Sequence, residues 1–180
     1  MTTSEADVRA AQAGDPAAHD RLLEALWPRA FRLAVAILGE RTAAEDAAQD
    51  ALVSIARRLD GLRDPVSFPL WSTRIVVNAA RDAARRRATE HQRRGRLHES
   101  QPSFEELTLE RLDMLAALAA LPSWLRVPLV LRHVEGLTSR EIGAALGAPA
   151  ATIRFRLALG RRRLAAALAD RDPDFREEFA

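Results

Sequence analysis

Residues 138–163, TSREIGAALGAPAATIRFRLALGRRR, constrain the fold more than any other part of the chain. Thr138 with Glu141 three residues later is a capping-box signature, which opens a helix. Ile142, Ala145 and Leu146 supply an apolar stripe behind it. Gly147 and Pro149 then interrupt the chain, and Pro149 suits the opening positions of a second helix. Helix, tight turn and arginine-studded second helix make the layout of a helix-turn-helix. In that layout the second helix enters the major groove of DNA.

The rest of the chain also has helical period. Leu22, Leu23, Leu26, Trp27, Phe31, Leu33, Ala34 and Ile37 predict a helix over 16–38, ended by Gly39. Thr42 and Glu45 form a second capping box and predict a helix to about Leu59. Residues 61–67 read as a loop, because Pro65 bars helix continuation. A long helix is predicted from Phe68 to Arg87 or beyond. Residues 91–102 are polar and poor in apolar side chains, so they read as a linker. Helical pattern resumes over 104–168, with Pro122 at a helix start and Gly136 at that helix's end. The tail is charged and is expected to fray. The expected fold is all-α: two small helical bundles joined by a flexible linker, the C-terminal one containing the helix-turn-helix. The expected division is 1–90, a linker over 91–103, 104–170, and a tail over 171–180.

Composition narrows the function classes. The chain has no Cys, which removes disulfides and Cys-based zinc sites and suits a reducing compartment. His19, His91, His98 and His133 have no metal-site spacing with carboxylates. Neither a glycine-rich phosphate loop nor a nucleophile elbow is present. An enzyme is therefore not expected, nor is a catalytic residue, a cofactor or a metal. No secretory signal or membrane-length apolar run occurs, so a cytoplasmic protein without membrane insertion is expected. The net charge of +2 hides a strong asymmetry. Every basic residue other than histidine is Arg, and the arginines cluster over 81–96 and 154–163. Two concentrated basic patches suggest two phosphate-facing surfaces.

On the long helix, Trp71, Ile75, Ala79 and Asp82 follow a three-to-four spacing and are expected to face the bundle. Arg74, Asn78, Arg81 and Arg85 share another face. Three cations suit a phosphate backbone, and an Asn amide both donates to and accepts from base edges. Phe68 and Trp71 are placed to stack on unpaired bases. A solvated arginine face is the plain alternative. On the preceding helix, Ala44, Ala48, Ala51, Leu52, Ile55 and Leu59 form an inward stripe. Asp46, Gln49, Asp50, Val53 and Arg57 lie on another face, which suits a protein partner or plain solvent.

Together these segments resemble bacterial sigma factors of the extracytoplasmic-function class of the sigma-70 family. AEDAAQDAL (44–52) resembles the family's core-polymerase-binding helix. FPLWSTRIVVNAARDAARRR (68–87) resembles its promoter-melting, −10-reading helix. LPSWLRVPLVLRHVEGLTSREIGAALGAPAATIRFRL (121–157) resembles its −35-reading module. The resemblance implies binding to the beta and beta-prime subunits of core RNA polymerase through Glu45, Asp46, Gln49, Asp50 and Val53. It implies −10 contacts from Phe68, Trp71, Arg74, Asn78, Arg81 and Arg85. It implies −35 contacts from Thr138, Arg154, Phe155, Arg156, Ala158, Leu159, Arg161 and Arg162. Promoter DNA and an anti-sigma factor are the other implied partners. The chain departs from the family in Ala47, Ala48 and Ala51, where bulkier apolar residues are usual, and in Ser72, where Leu is usual. The rival function is a helix-turn-helix regulator whose N-terminal domain binds proteins and directs no polymerase.

Advancing about 100° per residue from Ile153 places Leu157, Leu164 and Leu168 on one edge. Phe155, Ala158, Leu159 and Arg162 lie opposite, with Arg154 and Arg161 on one margin and Arg156 and Arg163 on the other. Phe155 and Leu159 either contact thymine methyls or form a protein-binding patch.

Overall fold

In the computed structural model every described element is a helix, and the chain divides into two units. Residues 4–94 and 109–169 are described, with side chains over 4–89 and 113–169. One unit comprises residues 1–35 and 42–98; the other comprises 36–41 and 99–180. Phe104 and the tail residues 171–180 lie outside the described residues, as does most of the expected linker.

The first unit opens with a helix that the apolar pattern did not reveal, α1 (Glu5–Gln12). Ser4 caps it by accepting from the Asp7 backbone N–H, and Val8 and Ala11 are buried. Two buried residues leave little periodicity to read. Next come α2 (Pro16–Leu38) and α3 (Arg41–Arg58), apart from residues 36–41, which count with the other unit. Helix α3 begins at Arg41, one residue before Thr42. Ala44, Ala47, Ala48, Ala51 and Ile55 are buried, so α3 packs through small side chains. The stretch read as a loop contains two 3-10 turns, Leu59–Gly61 and Pro65–Ser67. Gln12 Nε2 holds this connection by donating to the Leu59 and Leu62 carbonyls at 2.9 and 2.7 Å.

The long helix α4 (Phe68–Arg94) continues four residues into the expected linker. His91, Gln92, Arg93 and Arg94 are compatible with a helix, and the first breaker is Gly95. Its buried stripe is Ser72, Val76, Ala80 and Ala83, with Thr73 and Val77 beside them. The expected stripe differs: Trp71, Ala79 and Asp82 are only half-buried, and only Ile75 is buried. Two hydroxyls are buried because the chain satisfies them. Ser72 Oγ and Thr73 Oγ1 donate to the Pro69 carbonyl at 3.1 and 2.7 Å. Arg29 Nη2 of α2 donates to Thr73 Oγ1 at 2.7 Å. A small cavity beside this contact is lined by α2, α3 and α4, including Leu33, Ile55 and Val76.

The second unit contains α5 (Leu109–Ala120), α6 (Ser123–His133), α7 (Ser139–Leu146) and α8 (Ala150–Ala169). Helix α6 ends at His133, three residues before the expected stop at Gly136. Helix α8 packs against the other three. Its buried edge is Ile153, Leu157, Gly160 and Leu168, with Leu164 half-buried. The capping box of α7 is complete, and Gly147 ends that helix in the left-handed region at φ 66°. The axes of α7 and α8 differ by 106°. Across this turn the Ala148 N–H donates to the Gly143 carbonyl at 3.0 Å. No single helix among the described residues is long and apolar enough to cross a membrane.

Two glycines set these approaches. A Cβ at Gly143 would lie 2.5 Å from the Ala148 carbonyl oxygen, which is backbone and cannot swing aside. A Cβ at Gly160 would lie 2.9 Å from Leu129 Cδ1, the end of a flexible side chain. Gly143→Ala is therefore expected to destabilise the second unit by about 1–3 kcal/mol, the usual cost of overpacking. Gly160→Ala is expected to cost less. Thermal unfolding of both variants checks the order.

Candidate functional site

Three helix faces collect the sequence-predicted residues. On α3, Asp46, Gln49 and Asp50 are exposed and Glu45 is half-buried. Val53 sits among them with 49% of its surface exposed. The face exists because the alanines on the other side of α3 are buried. It is acidic, with one apolar residue near its centre, and Asp50 Oδ2 lies 3.5 Å from Arg86 Nη2 of α4.

On α4, Arg74, Asn78 and Arg85 are exposed and Arg81 is half-buried, so the expected row is present. Arg85 is not a free cation: its guanidinium pairs with Asp82 three residues earlier. Phe68 leaves the candidate set. Only 1% of its surface is exposed, so it offers no face to a base. Its ring instead packs against Trp71 at 5.8 Å, tilted by 39°. Trp71 is half-buried and keeps part of its surface accessible. Arg29 and Thr73, which the sequence did not single out, tie the first turn of α4 to α2. No composition or period signal marks that contact, because it is a single cross-helix bond.

On α8, Arg154, Phe155, Ala158, Arg161 and Arg162 are exposed, while Arg156 and Leu159 are half-buried. Phe155 projects with 64% of its surface exposed. Leu159, one turn further along the same side, is less accessible. Thr138 begins the module. Its hydroxyl donates to Glu141 Oε2 at 2.6 Å and accepts from the Glu141 N–H at 3.3 Å. The Thr138 backbone N–H donates to the same carboxylate oxygen at 2.7 Å. On α6, Arg126 has a buried Nε without a hydrogen-bond partner among the described residues, and burial pushes its guanidinium below the ordinary value. Among the described residues no group of three His, Cys, Asp or Glu side chains could hold a metal ion.

Residues 22–90 match the family Sigma-70 region 2, and residues 111–164 match the family Sigma-70, region 4. The chain belongs to the sigma-70 family, in its extracytoplasmic-function class. It is 34% identical to the ECF RNA polymerase sigma factor SigE of Mycolicibacterium smegmatis over 84% of this chain and 63% of that protein. It is 33% identical to the probable RNA polymerase sigma factor RfaY of Xanthomonas campestris, over 84% of this chain and 40% of that protein. The chain thus spans less than two thirds of these two relatives. It spans 96% of the RNA polymerase sigma-H factor of Pseudomonas aeruginosa, with 27% identity over 93% of this chain. Among solved structures, CnrH in complex with the cytosolic domain of CnrY has a TM-score of 0.70 at 25% identity, over 95% of this chain and 99% of that one. The sigma factor RpoE of Bartonella quintana, solved with the anti-sigma factor NepR, has a TM-score of 0.73 at 24% identity, over 83% of this chain and 95% of that one.

The sigma-70 family match gives the α7 cap a functional setting, because it fixes where the helix-turn-helix starts. The Thr138 hydroxyl, then its backbone N–H, hold the Glu141 carboxyl below its ordinary value, with a smaller contribution from Arg132. A depressed folded-state pKa adds stability that is present above the unfolded pKa and lost as pH falls through the folded one. In Thr138→Ala the Glu141 titration is expected to move up toward its unfolded value, so the variant is less stable at neutral pH and loses less stability on acidification. NMR titration of the Glu141 carboxyl, with acid unfolding followed in parallel, checks both.

Proposed function

We propose that this chain binds core RNA polymerase and directs promoter-specific initiation by reading −35 and −10 elements. The observation that carries the reading is that two basic faces, on α4 and α8, lie in two separately matched regions of one chain. A regulator with one DNA-reading module has no need of the Arg74–Asn78–Arg81 row.

In this reading the exposed face of α3 docks on the beta and beta-prime subunits through Glu45, Asp46, Gln49, Asp50 and Val53. Asn78 meets an unpaired −10 base by its amide, Trp71 stacks, and Arg74 and Arg81 meet phosphates. Extruding a base costs a few kcal/mol, which these contacts offset. Arg154, Arg156, Arg161 and Arg162 meet −35 phosphates from both margins of α8. Domains over 1–90 and 104–170 then act as the polymerase-docking and −35-reading parts, joined in sequence by a polar stretch. The protein makes and breaks no bond. It acts where the polymerase is, in the cytoplasm. An anti-sigma factor is a further proposed partner, supported by the protein-bound state of CnrH.

In vitro transcription with core polymerase tests the reading. Promoter-specific initiation without a housekeeping sigma factor is expected, and dependence on such a factor would overturn it. Asn78→Ala is expected to lower open-complex formation by about 1–3 kcal/mol, as for a lost base-edge contact, while sparing core binding. Val53→Asp is expected to do the reverse, weakening core affinity by about 1–2 kcal/mol, as for a buried apolar interface residue. Fluorescence binding to core polymerase and permanganate footprinting separate the two effects.

A further inference from the structure

The recognition helix α8 presents an unusual face. With about 100° per residue, Phe155 lies on the side opposite the buried edge of Ile153, Leu157 and Gly160. It is the one exposed large hydrophobic side chain on α8 among the described residues. Its neighbours on that side are Ala151, Ala158 and Arg162, all exposed, and Leu159, which is half-buried. With 64% of its surface exposed, the ring stands clear of the helix surface. Arg154 and Arg156 flank it in sequence, and neither forms an ion pair with another described residue.

A docking surface for another protein needs contiguous apolar area. This face supplies little of it, since Leu159 is half-buried, Ala151 and Ala158 are short, and Arg162 is charged. A lone projecting ring between cations suits a groove walled by phosphates. Phe155 is the sixth residue of α8, within the N-terminal turns that reach base edges in helix-turn-helix proteins. The apolar group that a base pair offers in the major groove is the C5 methyl of thymine. A phenyl ring has no hydrogen-bonding group with which to read anything else there.

We propose that Phe155 is a specificity determinant that selects thymine in the −35 element through its methyl group, with Arg154 and Arg156 holding the phosphates on either side. The inference rests on the promoter-directing reading above and names what that site recognises. A cytosine methylated at C5 presents the same methyl in the groove and is read as a partial substitute.

The test uses holoenzyme assembled from the full chain and core polymerase. Selection from duplexes randomised upstream of the start site identifies the −35 sequence. Each dT in it is then replaced by dU, which lacks only the methyl. At one position dU is expected to lower affinity about threefold to fourfold, the effect of one methyl group left in water. Phe155→Ala is expected to bind the dT duplex at the level of wild type on dU, and to show no further loss with dU. At that position 5-methyl-dC is expected to bind wild type more tightly than dC. Arg154→Ala is expected to weaken all sequences alike and to reduce the salt dependence. Indifference of wild type to dU at every position overturns the proposal. So does a dU penalty that persists in Phe155→Ala, including the case where that variant loses a protein partner instead. Failure of the holoenzyme to select any sequence overturns the promoter-directing reading as well, which separates the two failures.

Discussion

At Gly160, α8 lies so close to α6 that an added methyl group would sit 2.9 Å from Leu129 Cδ1 and 3.6 Å from the Leu125 carbonyl oxygen. That approach fixes which edge of α8 is buried. With Ile153 and Leu157 turned inward beside Gly160, Phe155 and Arg162 have no choice but to face out. Helix α7 adds the second constraint, since the contact between Gly143 and Ala148 sets the 106° turn into α8. The presented surface is thus a consequence of packing on the hidden side.

The first unit follows the same logic with smaller parts. Four alanines of α3 are at most 1% exposed, so the helix can approach its neighbours closely and turn Asp46, Gln49 and Val53 outward. Here the departures from the bulkier family pattern have a structural reading. Ala47, Ala48 and Ala51 are core residues, and their size permits close packing without altering the outer face. Ser72 is also a core residue, and its hydroxyl is satisfied within its own helix.

Much of the fold was legible because its signals are local. The α7 cap depends on Thr138 and Glu141 alone, and its stop depends on Gly147. The rows on α3 and α8 follow from period. The register of α4 was misread for a physical reason. Trp71 and Ile75 are large and apolar, so hydrophobicity favours them as the inward stripe. The structure buries Ile75 but leaves Trp71 half-buried, and it also buries Ser72 and Thr73, whose cost is removed by the Pro69 carbonyl and by Arg29. Such a partner is invisible in one dimension. Phe68 was misplaced for the related reason that an aromatic beside a basic helix suits both a core and a base stack, and only burial separates them. Helix α1 escaped notice because its Val8 and Ala11 are too few to make a pattern.

Gln12 lies ten residues before the stretch that matches Sigma-70 region 2, yet its amide grips two carbonyls of the connection between α3 and α4. The boundary drawn by kinship and the boundary drawn by hydrogen bonds therefore differ. A fragment trimmed to the matched stretch would leave the Leu59 and Leu62 carbonyls without this clasp, and would free the turn that leads into α4. The opening residues are in this sense a brace for a neighbour distant in sequence, and drift in them would be felt at the start of the long helix.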